Sequence, residues 1–318
     1  MDMNSKKLFI LVCLLFISYF VYSQAIILPF YLDKNKRIIV EYAIKGQKVK
    51  LLLDTGWEGD MIDVSFADKL NILPHTQNRV IEQFVSSGEP YTLILPDNGS
   101  SLYIDTLFNY EWTLTDMKKT AESLGIDDDI NGIVGINFIN YKYVVEFDFK
   151  HKQLKFWHSL PRNYLKYREV FKTEILRLDY GQVDSLKNVA AMYPYIKGNL
   201  TILGTVKLHP LFFFDTGSVG YISLQVHDNT ILKEMIDYKK VISQKYGVDY
   251  PTIHFQIPEL KIDSMYANCG MTVVMPDVFN LYKKNYFRVL LGMDFFLQYE
   301  RVLFDCKNKI GYFIRKQQ

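Results

Sequence analysis

Apolar positions along this chain fall in short runs divided by turn signals. Residues 37–44 and 47–53 are such runs, on either side of Lys45-Gly46, and the pattern predicts a hairpin. Residues 91–95 and 101–107 flank Pro96-Asp97-Asn98-Gly99, a strong turn signal. Residues 143–149 and 153–157 predict a further hairpin around Lys150-His151-Lys152, and the same arrangement recurs at 302–305 and 310–314. Helical spacing is confined to two short stretches, 65–70 with Ser65 as cap and 230–239. Many short strands with regular turns predict an all-β chain with few short helices, built as closed or sandwiched β lobes. Aromatic residues at 15% of the chain support that reading, because such rings suit a pleated, half-buried surface.

The pattern repeats itself once. Leu51-Leu52-Leu53-Asp54-Thr55-Gly56 is matched by Phe212-Phe213-Phe214-Asp215-Thr216-Gly217, at an offset of 161 (54 to 215). Val80-Ile81-Glu82-Gln83 meets Val241-Ile242-Ser243-Gln244 at the same offset. Ile133-Val134-Gly135-Ile136-Asn137-Phe138 meets Leu290-Leu291-Gly292-Met293-Asp294-Phe295 at 157 (135 to 292). Phe147-Asp148 and Phe156 find Phe304-Asp305 and Phe313, also at 157. One four-residue length difference accounts for the change of offset. A period of half the chain implies two duplicated lobes and excludes a solenoid. The lobes are expected at 24–160 and 173–318, joined by a connector over 161–172 that opens near Pro161.

The N-terminus stands apart from this frame. Lys6 and Lys7 precede an apolar run over 8–20, and Val21-Tyr22-Ser23 then ends in a small residue. This is the layout of a signal peptide over residues 1–23, cleaved after Ser23, with an uncleaved anchor as the alternative. Cys13 follows Val12 rather than a small residue, which argues against lipid attachment. Removing Asp2, Lys6 and Lys7 leaves 35 basic against 34 acidic residues, a net charge of +1. A near-neutral chain without a basic block gives no reason to expect nucleic acid or an anionic membrane surface as partner. No later stretch reads as a membrane span. Cys269 and Cys306 remain; an exported protein could pair them, and Cys306 reads equally as a buried small apolar residue.

An isolated Asp-Thr-Gly is a common turn. Here each triplet ends a run of large apolar residues, so each carboxylate would lie where a buried strand stops, a costly place for a charge. Two such sites at equivalent points of a duplication imply that Asp54 and Asp215 meet on a pseudo-twofold axis. Carboxylates that close share one proton, leaving one group as base for a water and the other as acid toward a carbonyl. Thr55 and Thr216 would hydrogen-bond across the axis, and Gly56 and Gly217 would admit close approach.

On Asp54-Thr55-Gly56, Asp215-Thr216-Gly217-Ser218 and the two apolar-Gly blocks, the chain resembles the aspartyl proteases of the pepsin and retropepsin group. The local pattern is nearer the bacterial retropepsin-like branch, in a two-lobed chain similar to a fused retropepsin dimer. The resemblance implies peptide-bond hydrolysis without metal or cofactor, and an active site between two duplicated closed-barrel lobes. It also implies β-hairpin flaps, with Ser86-Ser87-Gly88 as the candidate tip in the first lobe and Gly247 in the second; Tyr91 and Tyr246 are the nearest candidates for a flap tyrosine. Trp57 departs from the pattern, standing where the family has Ser, Thr or Ala, while Ser218 fits. Trp57 would tune Asp54 differently or form a wall of the substrate pocket. Asn137 replaces the Asp found at Asp294, both expected to be structural.

Other candidates carry less. His75, His151, His158, His209, His227 and His254 show no paired zinc spacing. Asp127-Asp128-Asp129 lacks the rest of a calcium loop and reads as a solvated turn. Asn98-Gly99-Ser100 and Asn199-Leu200-Thr201 are glycosylation triplets that matter only in a glycosylating host. No Gly-Xaa-Ser-Xaa-Gly elbow or phosphate loop occurs. The expectation is therefore an exported aspartic endopeptidase, periplasmic or extracellular, acting on peptide or protein substrates. It would be a monomer with an internal pseudo-dimer. The alternative is an inactive peptide-binding module of the same fold.

Overall fold

The Lys45-Gly46 pair does what its sequence predicts: φ is 47° at Lys45 and 79° at Gly46, two consecutive left-handed residues whose turn follows the twist of the flanking strands. In the computed structural model, the described residues are 25–57, 59–71, 78–84, 90–96, 102–103, 111–126, 129–140, 142–161, 164, 173–177, 179–181, 193–202, 206–220, 222–225, 243–245, 252–262, 265–274 and 288–315. The chain is mostly β-sheet with a few short helices.

The first half runs β1 (Ile26–Leu32), β2 (Ile38–Ile44), β3 (Gln47–Leu53), β4 (Asp60–Asp63), α1 (Val64–Lys69), β5 (Asn78–Phe84), β6 (Pro90–Pro96), β7 (Leu102–Tyr103), β8 (Glu111–Thr115), α2 (Met117–Ser123), β9 (Gly132–Val134), β10 (Val144–Asp148) and β11 (Gln153–Trp157). β3 leads directly into Asp54 and pairs in parallel with β9, Leu53 opposite Val134. β9 pairs antiparallel with β4, and β4 parallel with β8.

The second half continues with β12 (Thr173–Arg177), β13 (Asp179–Gly181), β14 (Tyr193–Lys197), β15 (Leu200–Ile202), β16 (Val206–Leu208), β17 (Leu211–Phe214), β18 (Ile222–Gln225), β19 (Ser243–Lys245), β20 (Thr252–Ile262), β21 (Met265–Val274), β22 (Arg288–Leu291), α3 (Met293–Phe296), β23 (Tyr299–Asp305) and β24 (Ile310–Arg315). β17 leads into Asp215 and pairs in parallel with β22, Phe214 opposite Leu291. β22 then pairs antiparallel with β18, and β18 parallel with β21. Parallel, antiparallel, parallel is thus the order around both triplets.

The halves meet in one run of strands, β12-β24-β23-β10-β11-β1. Its middle pair, β10 and β23, is antiparallel, from Val144 opposite Asp305 to Asp148 opposite Arg301. Under the offset of 157 that register maps onto itself, and Glu146 opposite Leu303 is the pair on the axis. Alternation along the strand then sorts the residues. Val145 and Phe147 enter a core that takes residues from both halves, with Phe156, Phe214, Phe296, Phe304 and Phe313. Phe214 and Phe304 meet edge to face at 4.8 Å between ring centres, a favoured aromatic geometry. Glu146 and Asp148 turn to the other face, where Lys155 reaches Asp148 at 2.5 Å and Trp157 Nε1 donates to Glu146 at 2.7 Å. Tyr164, inside the predicted connector, packs there with Val144, Leu303 and Ile314.

Several expectations need correction. The described strands form open paths, so no closed barrel is seen among the described residues. Among the described residues the strand at 90–96 pairs with β5 and β8, and β7 at 102–103 pairs with β8 rather than with β6. Asp63, not Ser65, caps α1: its carboxylate accepts from the N–H groups of Ser65 and Phe66, and a carboxylate is the stronger acceptor at an N-cap. α2, capped by Asp116, was not anticipated. The predicted segments 1–23 and 230–239 lie outside the described residues. No helix among the described residues is long and apolar enough to cross a membrane.

Candidate active site

The two triplets are held alike. Asp54 N–H donates to Val134 O at 2.9 Å, and Asp215 N–H to Leu291 O at 2.9 Å. The returning segment closes each loop: Ile136 N–H donates to Trp57 O and Met293 N–H to Ser218 O, both at 2.8 Å. This is why an apolar-apolar-Gly block follows each triplet in the sequence. The apolar pair supplies the parallel strand, and at Gly135 and Gly292 a Cβ would overlap the carbonyls of Gly59 and Gly220.

Thr55 and Thr216 then lock one loop to the other, as their spacing predicts. Thr55 N–H donates to Thr216 Oγ1 at 3.1 Å, and Thr216 N–H to Thr55 Oγ1 at 3.0 Å. Each hydroxyl donates onward across the axis, Thr55 to Phe214 O at 2.7 Å and Thr216 to Leu53 O at 2.8 Å. Both threonines are fully buried, so these four bonds act in a low-dielectric setting where a lost partner is costly.

This lock brings the carboxyls of Asp54 and Asp215 together. A Cβ on Gly56 would stand 2.5 Å from Asp215 Cγ, and one on Gly217 would overlap Asp54 Cγ. Each glycine therefore makes room for the opposite carboxyl. Burial raises the Asp54 carboxyl well above its ordinary value; the charge of Asp215 and a hydrogen bond between the two carboxyls raise it further. The Gly56 N–H at 2.9 Å and the charge of Arg37 oppose this with smaller effect. Asp215 Oδ1 accepts two N–H groups, from Gly217 and Ser218, each at 3.0 Å. The two carboxyls are thus placed to share one proton, and Asp215 accepts one more backbone N–H than Asp54.

The departure at Trp57 has a visible setting. Trp57 is half-buried and packs against a cluster containing Ile39, Leu52, Met61 and Met117. Ser218 is half-buried, and the next residue, Val219, is 46% exposed. The flap candidates Ser87, Gly88 and Gly247 lie outside the described residues, as does Tyr246. Strands that bracket them are paired: Phe84 opposite Pro90 in β5–β6, and Lys245 opposite Thr252 in β19–β20. Asp294 forms a tie between halves, its Oδ1 2.7 Å from Lys36 Nζ. Cys306 is buried. Among the described residues no cluster of three His, Cys, Asp or Glu could hold a metal ion.

Asp60 is a residue the sequence reading passed over. It is fully buried six positions after Asp54, and its Oδ1 accepts from Gly135 N–H at 2.8 Å. Its signal was internal: at the offset of 161 the second copy has Tyr221, so the carboxyl belongs to one half only.

No family model matches the chain, and no curated protein matches it. Among solved structures it is similar to basic 7S globulin from soybean, at 9% identity and a TM-score of 0.49, over 92% of this chain and 97% of that one. A likeness at that level carries no information about activity.

Proposed function

We propose that the chain is an exported aspartic endopeptidase in which Asp54 and Asp215 activate a water against a peptide bond. The observation that carries this reading is the reciprocal fit of the two carboxyls, each filling the space that a side chain on the opposite glycine would take. Asp215, whose carboxyl accepts two backbone N–H groups, serves as the base and takes a proton from the water as its oxygen attacks the scissile carbonyl carbon. Asp54 gives its proton to the carbonyl oxygen as the tetrahedral species forms. Asp215 then passes its proton to the amide nitrogen, and the tetrahedral species collapses with release of the amine as a hydroxyl proton returns to Asp54. Neither a metal nor a covalent intermediate is required.

In this reading the halves are two lobes, 24–160 and 173–318, related by the axis through Glu146 and Leu303. Hairpins β5–β6 and β19–β20 are the flaps over an extended peptide. Residues 1–23 direct export to the periplasm or the exterior, and the mature chain works as a monomer with an internal pseudo-dimer. The test is Asp54→Asn and Asp215→Asn, each incubated with a broad peptide library from acidic to neutral pH. Cleavage products should vanish in both variants while thermal unfolding stays near wild type, since the replacement conserves shape. Mixing the variants should restore nothing if the pair is intramolecular. Near wild-type turnover in either variant would refute the dyad.

Trp57 favours a second reading, a module that grips extended peptides without cutting them. An indole replaces the small residue of the other loop and packs on Ile39, Leu52, Met61 and Met117. Tight binding of a statine-type mimic, with no cleavage at any pH, would select that reading.

A further inference from the structure

The loop that carries Asp54 is fastened by a carboxyl that the sequence of the other half does not repeat. Asp60 opens β4 and points into the main core, on the face it shares with Ile62. Its Oδ1 holds Gly135 N–H, while its Oδ2 is buried with no hydrogen-bond partner. Trp112, opposite Asp60 in the β4–β8 ladder, is also buried, and its Nε1 likewise has no partner. Gly135 is the residue whose neighbours, Val134 and Ile136, bond Asp54 N–H and Trp57 O. Asp60 is therefore one residue removed from both backbone bonds that seat the Asp54 loop.

A lone carboxyl oxygen in an apolar setting is tolerated far better with a proton than with a charge. Burial raises the Asp60 carboxyl to about 7, and the Gly135 N–H lowers it by less. The titratable groups on the elements around it are engaged elsewhere or oriented toward the axis. Asp63 and Asp116 cap α1 and α2, and Asp54 faces Asp215. Glu111 precedes Trp112 at the start of β8; Asp68 and Lys69 on α1 are exposed, and β9 carries no titratable residue.

We propose that Asp60 is a positioning residue that seats the Asp54 loop as a neutral acid and unseats it on ionisation. An ionised Oδ2 must draw water or the Trp112 indole toward it, which disturbs the start of β4 and the Gly135 contact together. The first half of the site then fails with rising pH while the second half does not. The proposal rests on the aspartic-protease reading only for its effect on cleavage; its effect on the fold is independent.

The test compares wild type with Asp60→Asn, which keeps an acceptor for Gly135 N–H but cannot ionise. The sign is fixed by the raised folded value: wild type binds the extra proton between about 4 and 7, so it loses stability over that range relative to the variant. The difference in Tm, variant minus wild type, should grow by roughly 5 °C from pH 4.5 to pH 7.5 and then level off. The ratio of kcat/KM, variant over wild type, should rise at least about threefold over the same range; the titration of the dyad itself cancels in that ratio. A Tm difference that is the same at every pH overturns the proposal, as does a flat kcat/KM ratio. If wild type cleaves nothing, the catalytic reading fails and the Tm arm still decides. If Asp60→Asn does not fold, the fluorescence of wild type is titrated against Trp112→Phe. A one-proton transition near pH 7 that disappears in Trp112→Phe supports the proposal, and its absence overturns it.

Discussion

Segments 54–60 and 215–221 begin alike and part within three residues. Both start Asp-Thr-Gly, both are clasped by a returning apolar-apolar-Gly strand, and both threonines bond across the axis. After that, the first continues with Trp57 and the buried Asp60, the second with Ser218 and the exposed Val219. One loop carries an indole packed on Ile39, Leu52, Met61 and Met117 and is fastened by a carboxyl. At the other, the Asp gains an additional N–H from Ser218. In these two loops symmetry is kept where they bond each other and dropped in the residues that follow the triplets.

The symmetric part should be the more fragile. Gly56→Ala and Gly217→Ala each drive a methyl into the opposite carboxyl, and peptide cleavage should fall by about 100-fold or more, since ångström displacements of reacting groups cost that much. Unchanged cleavage in either variant would break the comparison at its root. Thr55→Val and Thr216→Val keep shape but strand buried partners, and each should cost about 3 kcal/mol in denaturant unfolding. Because the residues share their bonds, the double variant should cost at least about 1 kcal/mol less than the sum of the two.

The asymmetric part should respond unequally. Trp57→Ser removes packing from a half-buried ring and should cost about 2 kcal/mol, whereas Ser218→Ala should stay within about 0.5 kcal/mol in the same unfolding measurement. Charge sharpens the contrast further. The Asp54 carboxyl is raised, so the stability it confers is greatest below its ordinary range and declines as pH climbs toward its folded value. In Asp215→Asn the opposing charge is gone, and a carbon-13 carboxyl titration should find Asp54 moved down toward the ordinary range. At Asp148, burial raises the carboxyl, but hydrogen bonds from Lys155 and His151 outweigh it and hold the group low. That stabilisation is present above the ordinary carboxylate value and lost as pH falls through the folded one. Lys155→Met should therefore bring acid unfolding on at a higher pH, the smallest of these effects.

Much of the symmetric part was legible in the sequence because backbone geometry dictates it. A Gly is needed wherever a Cβ would meet a carboxyl or a carbonyl, and a run of Leu or Phe is needed wherever a strand is buried on both faces. These demands leave fixed letters at fixed offsets. The asymmetric part leaves no such trace. Asp60 looked like any polar residue after a turn, because its burial depends on β8 crossing beside it, 52 positions away at Trp112. The cap of α1 was misplaced by two residues because Asp63 and Ser65 are both good capping types, and only the geometry at Asp63 decides between them. The pairing of 90–96 with β5 and β8 follows from partners that turn signals do not encode.

The pair Glu146 and Leu303 stands at the centre of the β10–β23 ladder. In a dimer of two identical chains the residue on the axis must face its own copy. Glutamate would face glutamate, with two buried like charges, or leucine would face leucine, with no anchor for Lys155, Arg301 and Trp157. Joining the halves in one chain lifts that rule. A single acid can sit on the axis and organise a charged cluster on the back of the molecule, within reach of Tyr164 from the connector. Two copies of either half would place Glu146 opposite Glu146 or Leu303 opposite Leu303, and neither is the pair found here.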